Sequence, residues 1–363
     1  MGVRVGAAPR ISVCSVRPRR SAAARMRALL LAVALAAQPA AGQEGQPGPP
    51  DQVAILKQEA ARLVPLAITP AVRQFLAQTA YLPRVEPRVL FHDPTCGRVH
   101  TRAQYEQLDQ ARRHECQRRE YDETFYYLGR YGTPLVYARP LDLVAQEAKF
   151  DSFAGKRVLD FGYGMIGQLR LLASLGADTV GVDVQPLLTV LYSQPGDQGV
   201  IRNPNGPDGR ITLVEGRFPG EAEARTRIGD GFDLFLSKNT LKRGYVHPER
   251  EADERMLIDL GATDEAFVRA VFDVLKGGGL AMIYNLSPKQ NPSEKPYIPW
   301  ADGRCPFDRA LLERVGFQVL AYDQPDDEVI YEYWMALGLN DGQTREQLKQ
   351  ELFSHFTLLR KPR

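Results

Sequence analysis

From about residue 151 onward the sequence predicts an α/β fold, a doubly wound and mostly parallel sheet, preceded by a helical N-terminal cap. Three observations predict it. Short apolar runs of strand length alternate with amphipathic segments of helix length. A glycine-rich turn joins the first run to the first helix, and an acidic residue closes the second run. The composition of the 363 residues, 44% apolar and 25% charged, is that of a globular chain and excludes a disordered or fibrous one. A formal charge of +2, from 46 basic and 44 acidic side chains, creates no field for gathering nucleic acid or an anionic membrane, so no nucleic-acid partner is expected.

The N-terminal residues are of a different kind. No Asp or Glu precedes Glu44, whereas Arg4, Arg10, Arg17, Arg19, Arg20, Arg25 and Arg27 all do. Arg25-Met26-Arg27 leads into an apolar run over 28–37 and then Gln38-Pro39-Ala40-Ala41-Gly42, the order of a secretory signal with cleavage after Gly42. The run is too short to span a bilayer. Met26 is a natural start for such a signal, and the Arg-rich, acid-free composition also suits an organellar transit peptide. Residues 1–42 are therefore expected to be a signal or targeting segment and 43–50 a Gly/Pro linker. Export or a periplasmic location follows, with a cytoplasmic or organellar location as the alternative.

Residues 51–150 read as the cap, helical but broken by prolines: 53–63, 70–79 and a charged stretch over 101–121. An aromatic stretch follows, with Tyr121, Phe125, Tyr126, Tyr127, Tyr131 and Tyr137, suited to packing or to a lid beside a cofactor domain. Beyond the targeting segment only Cys96, Cys116 and Cys305 remain, an odd number that excludes a fully paired framework. Cys96 and Cys116 can pair in an oxidising compartment. Their proximity to His92, His100 and His114 invites a zinc reading, but no C-x-x-C pair supports one, and no metal is expected.

Residues 151–363 form the α/β domain. Its strands are expected at 157–161, 179–183, 211–215, 232–237 and 279–285, and its helices at 166–175, 263–275 and 306–315. Two late strands, 317–322 and 355–360, need no helical crossover of the parallel kind between them.

The densest chemical signal is Arg157-Val-Leu-Asp160-Phe-Gly162-Tyr163-Gly164-Met-Ile-Gly167, a strand entering a glycine turn that opens a helix. Glycine is needed where the backbone turns sharply and a ligand approaches closer than a Cβ permits. Asp183, at the end of the next strand, is placed to accept hydrogen bonds from the ribose hydroxyls of an adenosine group. Gly-x-Gly-x-x-Gly followed after about twenty residues by an acid also satisfies the dinucleotide fingerprint. Asp160 discriminates: a carboxylate there repels a pyrophosphate and attracts the cationic sulfonium and ammonium groups of S-adenosylmethionine.

With these residues in place the chain resembles class I S-adenosylmethionine-dependent methyltransferases. Asp160, Gly162 and Gly164 match that superfamily's acid-x-Gly-x-Gly loop, and Asp183 matches its ribose-binding acid. Phe232-Asp-Leu-Phe-Leu-Ser237-Lys238-Asn-Thr-Leu looks like its fourth strand and the loop that meets substrate. Val274-Leu-Lys-Gly-Gly-Gly-Leu resembles the turn before its fifth strand. The resemblance implies a Rossmann-like fold with a reversed C-terminal strand, S-adenosyl-L-methionine as cofactor, and methyl transfer to a small molecule or an accessible side chain. Tyr163, Gly167 and Ser237 join Asp160, Gly162, Gly164 and Asp183 as candidate cofactor contacts. Two departures stand out: the third glycine comes one residue late, at Gly167, and Glu215-Gly216-Arg217 puts an arginine where the superfamily often has an adenine-binding acid.

Methyl transfer needs little beyond positioning. The candidate catalytic residues His247, Tyr245 and Lys238 lie in the loop after the fourth strand, where His247 or Tyr245 can take a proton and Lys238 or Arg243 can hold an acidic substrate. A Pro-rich loop over 286–306, with Tyr297 and Trp300, is a candidate substrate wall. Two other functions are compatible with the fold: an NAD(P)-dependent oxidoreductase, and an exported, non-catalytic binding protein. The second is favoured by any export that carries the chain away from the cytoplasm, where S-adenosylmethionine is made.

Overall fold

A computed structural model describes residues 51–130, 132–290 and 297–363. The targeting segment and linker expected over 1–50, Tyr131 of the aromatic stretch and residues 291–296 of the Pro-rich loop lie outside the described residues.

The N-terminal region opens with helix Gln52–Leu63, whose N-cap Asp51 accepts from the Ala54 N–H at 2.7 Å and whose Val53, Leu56, Ala60 and Leu63 form one buried stripe. Helix Pro70–Ala77 follows, capped by Thr69. The Thr69 N–H and hydroxyl in turn donate to Asp142 Oδ1 at 2.9 and 2.6 Å, so helix Ala138–Ala148 holds the start of its predecessor. Between these helices lies a small antiparallel sheet that the sequence did not disclose: β1 (Arg88–His92), β2 (Val99–His100) and β3 (Gln117–Tyr121), in the order β2-β1-β3. The charged stretch expected to be helical over 101–121 is two short helices, Arg102–Glu106 and Gln110–Glu115, followed by β3. Four successive residues of β3, Gln117 to Glu120, are exposed. The strand therefore has no apolar alternation to read and exists through its pairing with β1.

The main sheet comprises β4 (Arg157–Phe161), β5 (Asp178–Asp183), β6 (Gly199–Ile201), β7 (Gly209–Glu215), β8 (Phe232–Lys238), β9 (Leu275–Pro288), β10 (Gln318–Pro325) and β11 (Leu352–Arg360). Their order is β10-β11-β9-β8-β4-β5-β7-β6. β7, β5, β4, β8 and β9 are parallel. β11 runs antiparallel to both of its neighbours, β9 and β10, which is the reversed final strand expected from the resemblance. All seven residues of β8 are buried, as a central parallel strand covered on both faces requires. The α/β, Rossmann-like architecture is as the sequence predicts. β9 is longer than the expected 279–285 because it pairs with β11 from Leu280 to Pro288. Helices Asp327–Ala336 and Arg345–Leu348, between β10 and β11, were not expected; the first lies on the N-terminal helix, where Arg62 Nε donates to the Ala336 carbonyl.

Each face of the sheet is buried separately. Leu159, Phe161, Val180 and Phe235 face Phe267 and Val271 of helix Asp264–Val274 and Leu312 of helix Arg309–Val315. Val158, Leu234 and Leu236 on the other face join a cluster that takes in helix Gly167–Ser174 and also Tyr126, Tyr127 and Tyr137 of the N-terminal region. A buried ion pair locks that second layer. Arg139 Nε and Nη2 donate to Asp326 at 2.7 and 2.6 Å, and the Tyr284 hydroxyl of β9 adds a bond to Asp326 Oδ2 at 2.8 Å. Removing one partner strands a buried charge, so Arg139→Ala is expected to lower unfolding stability by about 3–5 kcal/mol, read from urea melts. Tyr284→Phe, which removes one neutral donor to the same carboxylate, should cost roughly 1–3 kcal/mol.

Candidate cofactor site

β4 lies where the strand order reverses, with β5 on one side and β8 on the other, and the carboxyl ends beside that point are where open α/β sheets bind ligands. The chain leaves β4 through Gly162 and Gly164, at φ 69° and 58°, a left-handed region that side chains rarely adopt. The Gly162 N–H donates to the Val182 carbonyl at 2.8 Å. The Gly164 N–H donates to Asp183 Oδ2 at 3.2 Å, while Asp183 Oδ1 accepts from Gln185 N at 3.0 Å. The turn is therefore sewn to the end of β5. Gly162 has a second reason to be glycine: a Cβ there would lie 2.4 Å from Thr240 Oγ1, in the loop after β8. Burial raises the Asp183 carboxyl above its ordinary value, against the backbone N–H bonds that favour the ionised form.

Behind the turn lies a buried polar cluster. Asp160 is 1% exposed, and its Oδ2 accepts from Gln168 Nε2 at 2.9 Å; the same nitrogen donates to the Tyr163 carbonyl at 2.8 Å. Asp160 Oδ1 and Gln168 Oε1 have no hydrogen-bond partner among the described residues, although the Tyr137 hydroxyl lies beside the carboxylate. Asp160 is in register with Leu236 of β8, so Lys238, two residues on, emerges on the same face of the sheet. Lys238 is 6% exposed, with Nζ 5.2 Å from the centre of the Tyr137 ring. Burial pushes Asp160 up to about 7, opposed by the Gln168 hydrogen bond and the Lys238 charge. Burial pushes Lys238 down to about 8, opposed by Asp160.

Three expected cofactor contacts are placed otherwise. The Tyr163 side chain is 1% exposed and belongs to the core, its ring against Gly181, where a Cβ would lie 2.8 Å away. Ser237, on the face of β8 opposite Leu236 and Lys238, is fully buried, and its Oγ accepts from the Leu241 N–H at 3.2 Å, closing the turn after the strand. Gly167 serves packing: a Cβ would lie 2.8 Å from Pro134, so glycine lets the N-terminal region rest on the start of helix Gly167–Ser174. Asp160, Gly162, Gly164 and Asp183 do come together.

The three candidate catalytic residues do not converge. Lys238 joins the Asp160 cluster. Tyr245 lies on the short helix Arg243–Val246, half-buried, its ring 5.8 Å from Lys242 Nζ. His247 is exposed and pairs through Nε2 with Asp264 Oδ2 at 2.8 Å, at the start of helix Asp264–Val274. Glu215 accepts from Thr189 at 2.7 Å, and Arg217 pairs with Asp259 at 3.3 Å.

Sequence reasoning missed the network that shapes the loop. Lys242 is buried and donates to the Leu286 carbonyl, to the Trp300 carbonyl at 3.1 Å and to Ser287 Oγ at 3.4 Å. Asn239, at φ 60°, accepts from Leu286 N at 2.7 Å, and Asn285 Nδ2 donates to Leu241 O and Gly303 O at 2.8 and 2.9 Å. The one available sequence signal was Asn239, a local turn former directly after the fourth expected strand.

No protein-family model matches the sequence, and comparison with curated proteins finds no relative. Solved structures are similar in part. Phosphoethanolamine N-methyltransferase 2 of Haemonchus contortus is 13% identical, with a TM-score of 0.38 over 68% of this chain and 63% of that one. A methyltransferase of Geobacter sulfurreducens in complex with S-adenosylhomocysteine is 17% identical, at 0.32 over 62% and 91%. The 4+2 cyclase SpnF is also 17% identical, at 0.35 over 62% and 80%. Likenesses at this level say nothing of chemistry, which has to come from this chain's own side chains.

Burial pushes Lys242 down to about 7 from an ordinary 10.5, with the Lys238 charge acting in the same direction. Between those values the unfolded chain holds a proton that the folded chain does not, so stability rises with pH across that window. In Lys242→Met that rise should be shallower, by at most about 1.4 kcal/mol per pH unit, in urea melts at a series of pH values from neutral to alkaline.

Proposed function

We propose that this chain is an S-adenosylmethionine-dependent methyltransferase whose cofactor lies across the carboxyl ends of β4 and β5. The observation that carries the reading is the glycine turn at Gly162 and Gly164, sewn to Asp183 and backed by the buried carboxylate of Asp160. The residues fit an adenosyl ligand with a cationic end. Asp183 keeps acceptor capacity for ribose hydroxyls beyond its two backbone bonds. Gln168 Oε1, without a hydrogen-bond partner among the described residues, and the Asp160 carboxylate beside it are acceptors that suit an ammonium group. The Gln168 hydrogen bond and then the Lys238 charge oppose the upward shift that burial gives Asp160. When bound, the cofactor supplies an activated methyl group, so the protein's part is to orient the acceptor and exclude water. Of the three candidate catalytic residues only Lys238 shares the buried cluster, where burial pushes it down to about 8, which suits it to give up a proton. The acceptor is read only as a small molecule or an accessible side chain.

One observation supports a second reading, a cofactor-free binding protein on the same fold: Asp160 already faces an internal cation and is covered by Tyr137. Calorimetric titration with S-adenosylmethionine, S-adenosylhomocysteine, NAD and NADP separates the readings. Saturable binding of the adenosyl ligands is expected, weakened roughly tenfold to a hundredfold in Asp183→Ala by loss of charged hydrogen bonds. Binding of NAD or NADP alone would move the function to redox chemistry, and binding of none of the four would leave the cofactor-free protein.

A further inference from the structure

The three-stranded sheet carries two cysteines that the candidate site does not use. β1 ends at His92, paired with Gln117 of β3, and one further step of that antiparallel register sets Asp93 opposite Cys116. From Asp93 a tight turn leads back to β2: its N–H donates to the Arg98 carbonyl and its carbonyl accepts from Gly97 N, both at 2.9 Å. Cys96 sits in that turn, with its N–H directed at Asp93 Oδ1 at 3.4 Å. Both cysteines therefore flank one aspartate, Cys116 from the strand and Cys96 from the turn.

The charges agree with this placement. Hydrogen bonds from the Thr95 and Cys96 side chains hold Asp93 well below the ordinary carboxylate range. The Cys116 thiol is raised by burial and then by the negative charges of Asp93 and Cys96. Cys96 is exposed and Cys116 partly so, whereas Cys305 is buried and its thiol is pushed up to about 12. Among the described residues no group of three His, Cys, Asp or Glu side chains is arranged to hold a metal.

We propose that Cys96 and Cys116 form a disulfide that staples the β1–β2 turn to the start of β3 when the chain meets a small disulfide oxidant such as oxidised glutathione. The exposed Cys96 thiolate attacks the oxidant's S–S bond, releasing one glutathione thiolate and leaving a mixed disulfide on Cys96. The Cys116 thiolate then attacks the Cys96 sulfur and releases the second glutathione. Two protein thiols are oxidised to one disulfide, and their two electrons and two protons end on two glutathione thiols. Cys116 faces Asp93 across the pair of strands, and Cys96 sits in the turn that Asp93 opens, close enough for its charge to act on the Cys116 thiol; a disulfide then requires the turn to bring the two Cα atoms within about 4.4–6.8 Å. The staple would secure β3, whose residues Gln117 to Glu120 bury little of their own surface. This inference is independent of methyl transfer.

The test uses the full chain, reduced, freed of reductant and equilibrated with reduced and oxidised glutathione at several ratios. It is then alkylated, digested without reduction and mapped by mass spectrometry. The expected result is one peptide pair joined through Cys96 and Cys116 in monomeric protein, with Cys305 alkylated only after unfolding. Cys116→Ser should leave a glutathione adduct on Cys96. Separate glutathione adducts on Cys96 and Cys116 of the wild-type chain, cross-links between chains, or two thiols that stay free at the most oxidising ratio would each overturn the proposal.

Discussion

A parallel sheet has to be covered on both faces, and in this protein one cover comes from residues that precede the first strand of the sheet. Tyr126, Tyr127 and Tyr137 share a buried cluster with Val158, Leu234 and Leu236. Pro134 rests where Gly167 has no side chain, and a Cβ at Gly129 would lie 2.9 Å from the Gly164 carbonyl. Gly129 and Pro134 are thus packed against the backbone of the glycine turn and of the helix that follows it. Arg139, one turn further along, anchors it through Asp326 and so ties it to the far end of the sheet. The turn's shape is held by residues that precede β4 as much as by those that follow it.

That cover also sets the electrostatics. An isolated ionised carboxylate at the depth of Asp160 would cost several kcal/mol and would instead take up a proton. Gln168 and Lys238 oppose that tendency, and Tyr137 seals the cluster from water. Lys242 is treated differently: its Nζ is met by two carbonyls and a hydroxyl from separate segments. Of two buried lysines four residues apart, one balances a charge and the other ties three pieces of chain together.

The strands were legible because central parallel strands, buried on both faces, read as continuous apolar runs. β4, β5, β7 and β8 begin and end within two residues of their expected bounds. β3 was illegible for the opposite reason, since its exposed polar residues have no periodicity and only pairing defines it. The glycine turn and the two aspartates were legible because backbone geometry and charge leave few residue choices. Side-chain direction was not. Ser237 alternates with Leu236 and Lys238 across β8 and so falls on the face away from Asp160, a consequence of the strand's period of two that membership in a motif conceals. Tyr163 follows the sharp turn at Gly162, where no simple period applies, and its ring goes to the core. His247 finds Asp264, a partner set by where helix Asp264–Val274 begins and absent from any local pattern.

Under the proposed methyl transfer, the loop after β8 is where the demands of a reaction run by positioning would fall. When a transferred group is already activated, misplacement of the acceptor by about an ångström is what costs rate. Loops carry such acceptor sites only if something else removes their freedom. Here Ser237 closes the turn from below and Asn239 bonds across to Leu286. Asn285 returns a bond to Leu241, and Lys242 reaches to the carbonyl of Trp300. Side chains buried beneath the loop fix it, and the half-buried Arg243 and Tyr245 are carried on its short helix. Residues that bind an acceptor are free to change on such a frame without altering the fold, whereas the buried polar residues below it are not.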